Sequence, residues 1–181
     1  MPPTQPEIDG IIKRENLGMI RGRSRKEQLK MAKEFGFIDP PNAGGGCLLT
    51  DPAFAIRAKD LFEHIETPTT NDIDLLKIGR HFRFNIKTKL IVGRHKDENE
   101  MLKALALHGD VLFDTKDHVG PISMLRGDDS EKNVKLAAAI TLRYSDAPKD
   151  KTGIVLTEKN DTKSEISTAS IAESEYLRYR I

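Results

Sequence analysis

The sequence predicts an α+β fold, in which an N-terminal helical segment precedes a small mixed, largely antiparallel sheet packed with two or more helices. Three observations lead to this prediction. Segments with helical caps and apolar spacing occupy the first part of the chain. Short alternating or continuous apolar runs, typical of strands, follow them. Among those runs lies one strongly apolar helix, which needs cover on more than one side.

Composition limits the classes of protein to which the chain can belong. Its 181 residues carry a formal net charge of only +1, with 38% hydrophobic and 31% charged residues, as expected of a soluble globular protein. No apolar run reaches the roughly 18 residues of a membrane span, and the N-terminus does not resemble a secretory signal. The single cysteine excludes an internal disulfide and indicates a reducing, cytoplasmic location.

Helices are predicted throughout residues 1–66. Ser24 and Glu27 form a capping box that begins a helix of about three turns, which ends at Gly36. A loop rich in proline and glycine follows, and Thr50-Asp51-Pro52 begins a second helix. The apolar positions of this second helix are expected to make a broad buried face: Phe54, Ile56, Ala58, Leu61, Phe62 and Ile65. We interpret this region as a helical linker or docking segment.

An α+β domain is predicted over residues 67–157, after a hinge at Thr67–Thr70. Its expected elements are a short helix at 71–76, a hairpin at 81–92, a helix at 98–108, strands at 111–113 and 121–125, a helix at 130–144 and a strand at 153–156. From Glu158 onwards the sequence is rich in Ser, Thr, Lys and Glu without clear periodicity. We therefore expect residues 158–181 to be a flexible or loosely docked tail.

The strongest functional signal is a local excess of positive charge. Between Lys77 and Lys96 the chain has seven Lys or Arg residues and two His, but no Asp or Glu. Such a run predicts a surface that attracts polyanions such as RNA. The alternative is an ordinary solvated strand edge.

Alternation within this run predicts which side chains face the polyanion. Phe82, Phe84 and Ile86 are expected to face a core, which leaves the polar residues between them on a wet strand face. Lys89–Val92 reads as the second strand of a hairpin. The predicted RNA-binding residues of the hairpin are Arg80, His81, Arg83, Lys87, Lys89 and Arg94.

A second basic cluster surrounds the start of the first predicted helix, where cations oppose the helix dipole. Contact with phosphate would explain why cations occur at this unfavourable position. The members of the cluster are Arg21, Arg23, Arg25 and Lys26. The alternative is pairing with the neighbouring glutamates Glu15, Glu27 and Glu34.

Cys47 follows three glycines and precedes a predicted helix N-terminus, two features that favour a thiolate. A catalytic thiol is one interpretation, and a small buried apolar residue is the other. The glycines Gly44–Gly46 lack the Lys-Ser/Thr pair of a phosphate loop. The five histidines are spread out and predict no metal site.

Several longer strings resemble known families. Gly22–Lys26, Gly44–Pro52 and Asn71–Arg83 are similar to the C-terminal half of thiouridylase-like PP-loop ATPases. Val92–Arg94 with Glu98–Glu100, and then Asp110–Phe113 with Gly120-Pro121, resemble the RNA-binding domain called NFACT-R, which such proteins append. The resemblance covers roughly Glu7 to Ala147.

This resemblance implies an RNA-binding accessory region of a tRNA sulfur-transfer enzyme. ATP would be held by a separate N-terminal domain with a Ser-Gly-Gly-x-Asp-Ser loop, a motif that this sequence does not contain. No cofactor is therefore expected in this chain. The expected partners are tRNA or another structured RNA, a PP-loop ATPase domain in cis or in trans, and a sulfur donor protein.

Two further function classes remain open. A protein-interaction scaffold would use the amphipathic helices to dock an ATPase domain or a sulfur donor. An autonomous enzyme lacks a convincing constellation of acid, base and nucleophile. The chain is thus not expected to be catalytic by itself.

Overall fold

The computed structural model describes residues 2–18, 25–37 and 47–181, in two compact units that span Met1–Gly46 and Cys47–Ile181. The first unit contains helix α1 (Gln5–Ile8), a 3-10 turn (Arg14–Leu17) and helix α2 (Lys26–Glu34). Helix α2 confirms the first predicted helix, and Gly36 follows it with a φ of +77°. The proposed cap Ser24 and the loop Gly44–Gly46 lie outside the described residues.

A six-stranded antiparallel sheet forms the centre of the second unit, as the sequence predicted for the fold class. Its strands lie in the order β1-β2-β4-β3-β5-β6. In chain order the elements are α3 (Pro52–His64), α4 (Thr70–Leu75), β1 (Arg80–Asn85), β2 (Thr88–Val92), α5 (Lys96–Leu105), β3 (Val111–Thr115), β4 (Ser123–Arg126), α6 (Glu131–Arg143), β5 (Thr152–Lys159), β6 (Thr162–Ala169) and α7 (Glu173–Tyr176).

Helix α6 packs on one face of the sheet and forms the main core. Its completely buried Ala137, Ala138 and Ile140 contact the inward side chains of β1–β5. The Thr141 hydroxyl donates to the Ala137 carbonyl oxygen at 2.8 Å and lies 2.8 Å from the Ser123 hydroxyl, which can donate to it, so its polar group is satisfied inside the core. This arrangement explains the apolar character of α6 in the sequence.

Helices α3, α4 and α5 cover part of the opposite face. Leu75 and Leu102 pack against Ile91 and Met124 of the sheet, and Leu61 of α3 packs against Leu76. Helix α3 therefore belongs to the same unit as the sheet, whereas the sequence analysis placed it in the linker. Of its six expected core positions, Ile56 and Phe62 are instead exposed.

The segment predicted as a flexible tail is folded. Strand β6 pairs with β5 over its whole length, and Tyr176 of α7 is buried against α6 and β1. Asn160 and Asp161, with φ angles of +47° and +65°, connect the two strands as expected for the tight turn of a hairpin. The C-terminal residues return to the edge of β1, where the Ile181 N–H donates to the His81 carbonyl oxygen at 3.0 Å.

The described helices were compared with the requirements of a membrane-spanning helix. None of the helices in residues 2–18, 25–37 and 47–181 combines the length and apolar character needed to cross a bilayer.

Candidate nucleic-acid interface

The predicted basic hairpin exists, but it is more buried than the alternation of its residues suggested. Strands β1 and β2 pair with Phe82 opposite Leu90 and Arg83 opposite Lys89, and Ile86 and Lys87 form the turn. The expected core residue Ile86 is 73% exposed because it lies in this turn. The face expected to be wet is covered by α3 and α4 and is not a basic sheet surface.

His81 is the clearest correction to the predicted site. It is 1% exposed, and one ring nitrogen, Nε2, lies 2.8 Å from the Ile78 carbonyl oxygen. Burial, and then the nearby charge of Lys89, lower the pKa of His81 well below its usual value. His81 is thus a neutral interior residue and does not lie on an open surface.

Arg83 and Lys89 share one carboxylate from α3. Arg83 binds the two oxygens of Asp60 through Nε at 3.0 Å and Nη2 at 2.6 Å, and Lys89 Nζ lies 3.1 Å from the same group. Burial lowers the pKa of Lys89 to about 8, although Asp60 partly opposes this effect. Both predicted RNA-binding residues therefore have a structural ion pair, which the sequence could not show because Asp60 lies 23 residues before Arg83.

Three arginines lie at the opposite end of the hairpin, where the chain enters β1 and leaves β2. We call Arg57, Arg80 and Arg94 the arginine cluster. Arg57 of α3 donates through Nη1 to the Gly79 carbonyl oxygen at 3.2 Å, and Arg80 donates to the Gly93 carbonyl oxygen at 3.4 Å. Burial, and then the positive charge of Arg94, lower the pKa of Arg57. The charges of Arg57 and Arg94 are therefore close enough to repel each other, although Asp51 and Glu98 act in the opposite direction on Arg57.

A buried carboxylate organises this end of the hairpin. Glu98 of α5 is 3% exposed and accepts hydrogen bonds from the Arg94 backbone N–H at 2.8 Å and from Arg94 Nε at 2.9 Å. Burial raises the pKa of Glu98, but hydrogen bonds from the Arg94 side chain and from the backbone of Arg94 and Gly79 outweigh it and lower the pKa to about 2. The Arg94 side chain nevertheless stays 44% exposed.

Aromatic side chains border the cluster on the α6 side. The Arg80 guanidinium lies 4.8 Å from the centre of the Tyr144 ring, in a cation–π contact. Burial and the Tyr176 hydroxyl raise the pKa of Tyr144 to about 12, while the charges of Arg80 and Arg180 act in the opposite direction. Arg180 thus adds a fourth cation near this site.

The remaining candidates are scattered. Lys87 is exposed in the hairpin turn, far along the strands from Arg94. Arg25 and Lys26 belong to the first unit, and Arg21 and Arg23 lie outside the described residues. Cys47 is exposed, and a 3-10 turn at Leu48–Thr50 separates it from the start of α3.

Arg57 and Arg180 lie at this end of the hairpin, although neither was predicted to be an RNA-binding residue. Arg57 is one charged residue in a helix whose apolar residues dominate its pattern, and Arg180 lies in the segment expected to be flexible. Within the described ranges, no three His, Cys, Asp or Glu side chains meet in a way that could hold a metal ion.

Comparisons with known proteins agree with this architecture. The model of a family described as "NFACT protein RNA binding domain" matches residues 79–180. Among solved structures, the C-terminal part of the fibronectin/fibrinogen-binding protein from Streptococcus suis superimposes with a TM-score of 0.50 at 15% identity, over 86% of this chain and 74% of that one. At this identity the likeness concerns the fold alone. No curated protein matches the sequence.

Proposed function

Because the chain belongs to the family of NFACT protein RNA binding domains, we propose that it binds RNA through the arginine cluster. The observation that carries this proposal is the convergence of Arg57, Arg80 and Arg94 at one end of the hairpin, inside the matched region or packed directly against it. Like charges gain nothing from such proximity in the free protein. A polyanion would remove the repulsion and release counterions.

The geometry favours contact with phosphates over the reading of bases. Arginine guanidinium groups bind phosphate oxygens through paired N–H donors, and only part of each donor set is used within the protein. The Arg80 guanidinium lies over the Tyr144 ring, so the ring is already covered on that side. Recognition would then depend on the shape and charge of a structured RNA.

A more specific setting follows from the resemblance to thiouridylase-like PP-loop ATPases. In that setting the RNA is tRNA, the partners are an ATPase domain that binds ATP and a sulfur donor protein, and Cys47 takes part in sulfur transfer. The segments Gly22–Lys26, Gly44–Pro52 and Asn71–Arg83 support this setting. Two residues of the Asn71–Arg83 segment also have structural roles: Asp72 completes the capping box of α4 with Thr69, and Gly79 has a φ of +74°.

The tRNA setting has its own test. A full-length enzyme with Cys47→Ser is expected to lose tRNA thiolation while still binding tRNA. Normal thiolation by this variant would remove Cys47 from the proposal and would leave RNA binding untouched.

RNA binding itself is tested by fluorescence anisotropy of the chain with a tRNA pool and with duplex DNA, titrated across salt. For roughly four phosphate contacts, the plot of log affinity against log salt is expected to slope at about −3 to −4. Binding that prefers tRNA with such a slope supports the proposal. No binding at low salt would contradict it and would favour the protein-interaction scaffold.

A further inference from the structure

A small cavity lies beside the turn of the hairpin, away from the arginine cluster. It has a volume of about 250 Å³ and lies between the end of α3, helix α4 and the turn. Leu61, Ile65, Leu75 and Ile86 supply apolar walls, and Arg83, Lys87, Lys89 and Arg126 bring four cationic groups to it. A cavity with apolar walls and several cationic groups suits a ligand that has an apolar part and a negative charge.

The positive groups near α3 exceed the carboxylates available to them. Asp60 is the one carboxylate bound by Arg83 and Lys89, whose side chains remain 15% and 11% exposed. Arg83 Nη1 and the Lys87 ammonium have no hydrogen-bond acceptor within the described part of the chain. Arg126, in contrast, is matched by Asp72 at 3.0 Å and Asp110 at 2.7 Å. The surplus of donors thus lies on the side of Arg83, Lys87 and Lys89.

His81 also lines the cavity, and it offers an acceptor without a donor rather than a donor without an acceptor. Its Nε2 lies 2.8 Å from the Ile78 carbonyl oxygen, which can only accept, so Nε2 carries the proton. The buried neutral ring then leaves Nδ1 as an acceptor, and Nδ1 has no partner although the ring lines the cavity. Nδ1 is thus a buried acceptor at the cavity wall that no donor in the described part of the chain satisfies, and buried polar atoms in folded proteins normally have a partner.

We infer that this cavity holds one unpaired ribonucleotide of the bound RNA, with its phosphate at Lys87 and Arg83, a ribose hydroxyl directed to His81 Nδ1 and its base against the apolar walls. This inference rests on the proposed RNA binding and names the part of the RNA that is recognised. A ribonucleotide combines the three required features: an anionic group, a hydroxyl donor and a flat, largely apolar body. The 2′-hydroxyl would distinguish RNA from DNA at this position.

The ionic state of Lys89 is consistent with an anion nearby. Burial lowers its pKa to about 8 with Asp60 as its bound carboxylate. A phosphate would stabilise the charged ammonium and raise that pKa again.

The test uses NMR of the 15N-labelled chain with three probes: a single-stranded tetraribonucleotide, the deoxyribonucleotide of the same sequence, and inorganic phosphate. The tetraribonucleotide is expected to shift the Lys87 backbone amide and the His81 Nδ1 resonance. It is also expected to bind about 3- to 10-fold more tightly than its deoxy counterpart, as one additional hydrogen bond provides. A mononucleotide added as a fourth probe distinguishes a free nucleotide from an RNA strand, because the strand is expected to bind more tightly.

Lys87→Gln serves as the variant, because Lys87 is exposed in a turn and its replacement should leave the fold intact. It should weaken tetraribonucleotide binding several-fold, whereas Lys132→Gln on α6, across the sheet, should not. Equal binding of the ribo and deoxy probes, response to phosphate alone, or no shift at Lys87 would each overturn the inference. If tRNA binding by anisotropy persists in that case, the proposed function stands and only the cavity assignment fails.

Discussion

Glu98 and Arg94 are joined through both the backbone and the side chain of the arginine. The Arg94 N–H donates to Glu98 Oε2 at 2.8 Å, and Arg94 Nε donates to Oε1 at 2.9 Å. One carboxylate at the start of α5 thereby holds the end of β2 and orients a guanidinium that still reaches solvent. The pair links the stability of the fold to the geometry of the proposed RNA surface.

We expect stability to fall in acid through this pair. The pKa of Glu98 is lowered from 4.5 to about 2 in the folded protein, so the folded state holds the proton less tightly than the unfolded chain. The stabilisation is therefore complete above about pH 4.5 and is lost as the pH falls towards 2. Thermal unfolding between pH 6 and pH 2.5 measures this dependence, and Glu98→Gln should reduce its slope. An unchanged slope in the variant would show that Glu98 is not the group responsible.

Loss of charge in the arginine cluster should weaken RNA binding without changing its selectivity. Arg57→Gln or Arg80→Gln is expected to lower tRNA affinity about three- to tenfold and to reduce the size of the salt slope by about 0.7–0.9. Fluorescence anisotropy at several salt concentrations measures both effects. Lys132→Gln removes the same charge from α6 and is the matched control. Equal losses in all three variants would indicate a general charge effect and contradict the assignment.

Removal of the carboxylate between Arg83 and Lys89 should be strongly destabilising. Asp60→Asn leaves two poorly solvated cations facing each other, and the expected loss is about 3 kcal/mol in the free energy of unfolding. Urea denaturation measures it. Asp74→Asn disrupts the exposed pair with Lys77 and should cost less than about 1 kcal/mol. Similar losses in the two variants would be incompatible with a structural role for Asp60.

The ion pairs of Asp60 with Arg83 and Lys89 also limit which hairpin residues can be mutated to test for RNA contact. Reversal of charge at Arg83, one of the predicted RNA-binding residues, would place a glutamate against Asp60. Loss of binding in such a variant would then report unfolding. The exposed Lys87 is the safer position.

The hairpin turn between β5 and β6 offers a test of the folded C-terminal region. Asp161 has a φ of +65°, which glycine adopts readily and β-branched residues avoid. Asp161→Gly is expected to maintain or raise the unfolding temperature, and Asp161→Val should lower stability by about 1–3 kcal/mol. Limited proteolysis provides a second measurement, since cleavage within 158–172 should increase only for the valine variant. Rapid cleavage of the unmodified chain there would contradict the structure.

Local signals in the sequence were sufficient for much of the fold. Thr50-Asp51-Pro52 predicted the start of α3, where the Asp51 side chain accepts from the Phe54 backbone N–H. The short helix α4 was also expected, although its cap, Thr69, had been placed in the hinge. The hairpin pairing of β1 with β2 also followed from residue order. Strand β6 was missed because four of its side chains, from Thr162 to Glu165, face solvent and lack the alternation of a half-buried strand.

The candidate site was predicted only in part, since tertiary packing decides which cations remain available. Arg80 and Arg94 stay near the surface, whereas Arg83 and Lys89 are paired with an aspartate from a helix distant in sequence. His81 alternates correctly with Phe82, but helices cover the sheet on both sides of β1, so alternation did not indicate exposure. Arg57 joins the site through the placement of α3, which no local pattern specifies.

The pairing of Arg180 and Ile181 with β1 has a consequence for self-association. Exposed strand edges can recruit strands from other molecules, and this pairing occupies one margin of the sheet. At the other margin no described segment pairs with the outer side of β6, whose Lys163 and Glu165 are exposed. These charges oppose the stacking of successive copies into a fibre. Detachment of the last residues would therefore open the less protected margin, next to Phe82 and Phe84, and promote polymerisation.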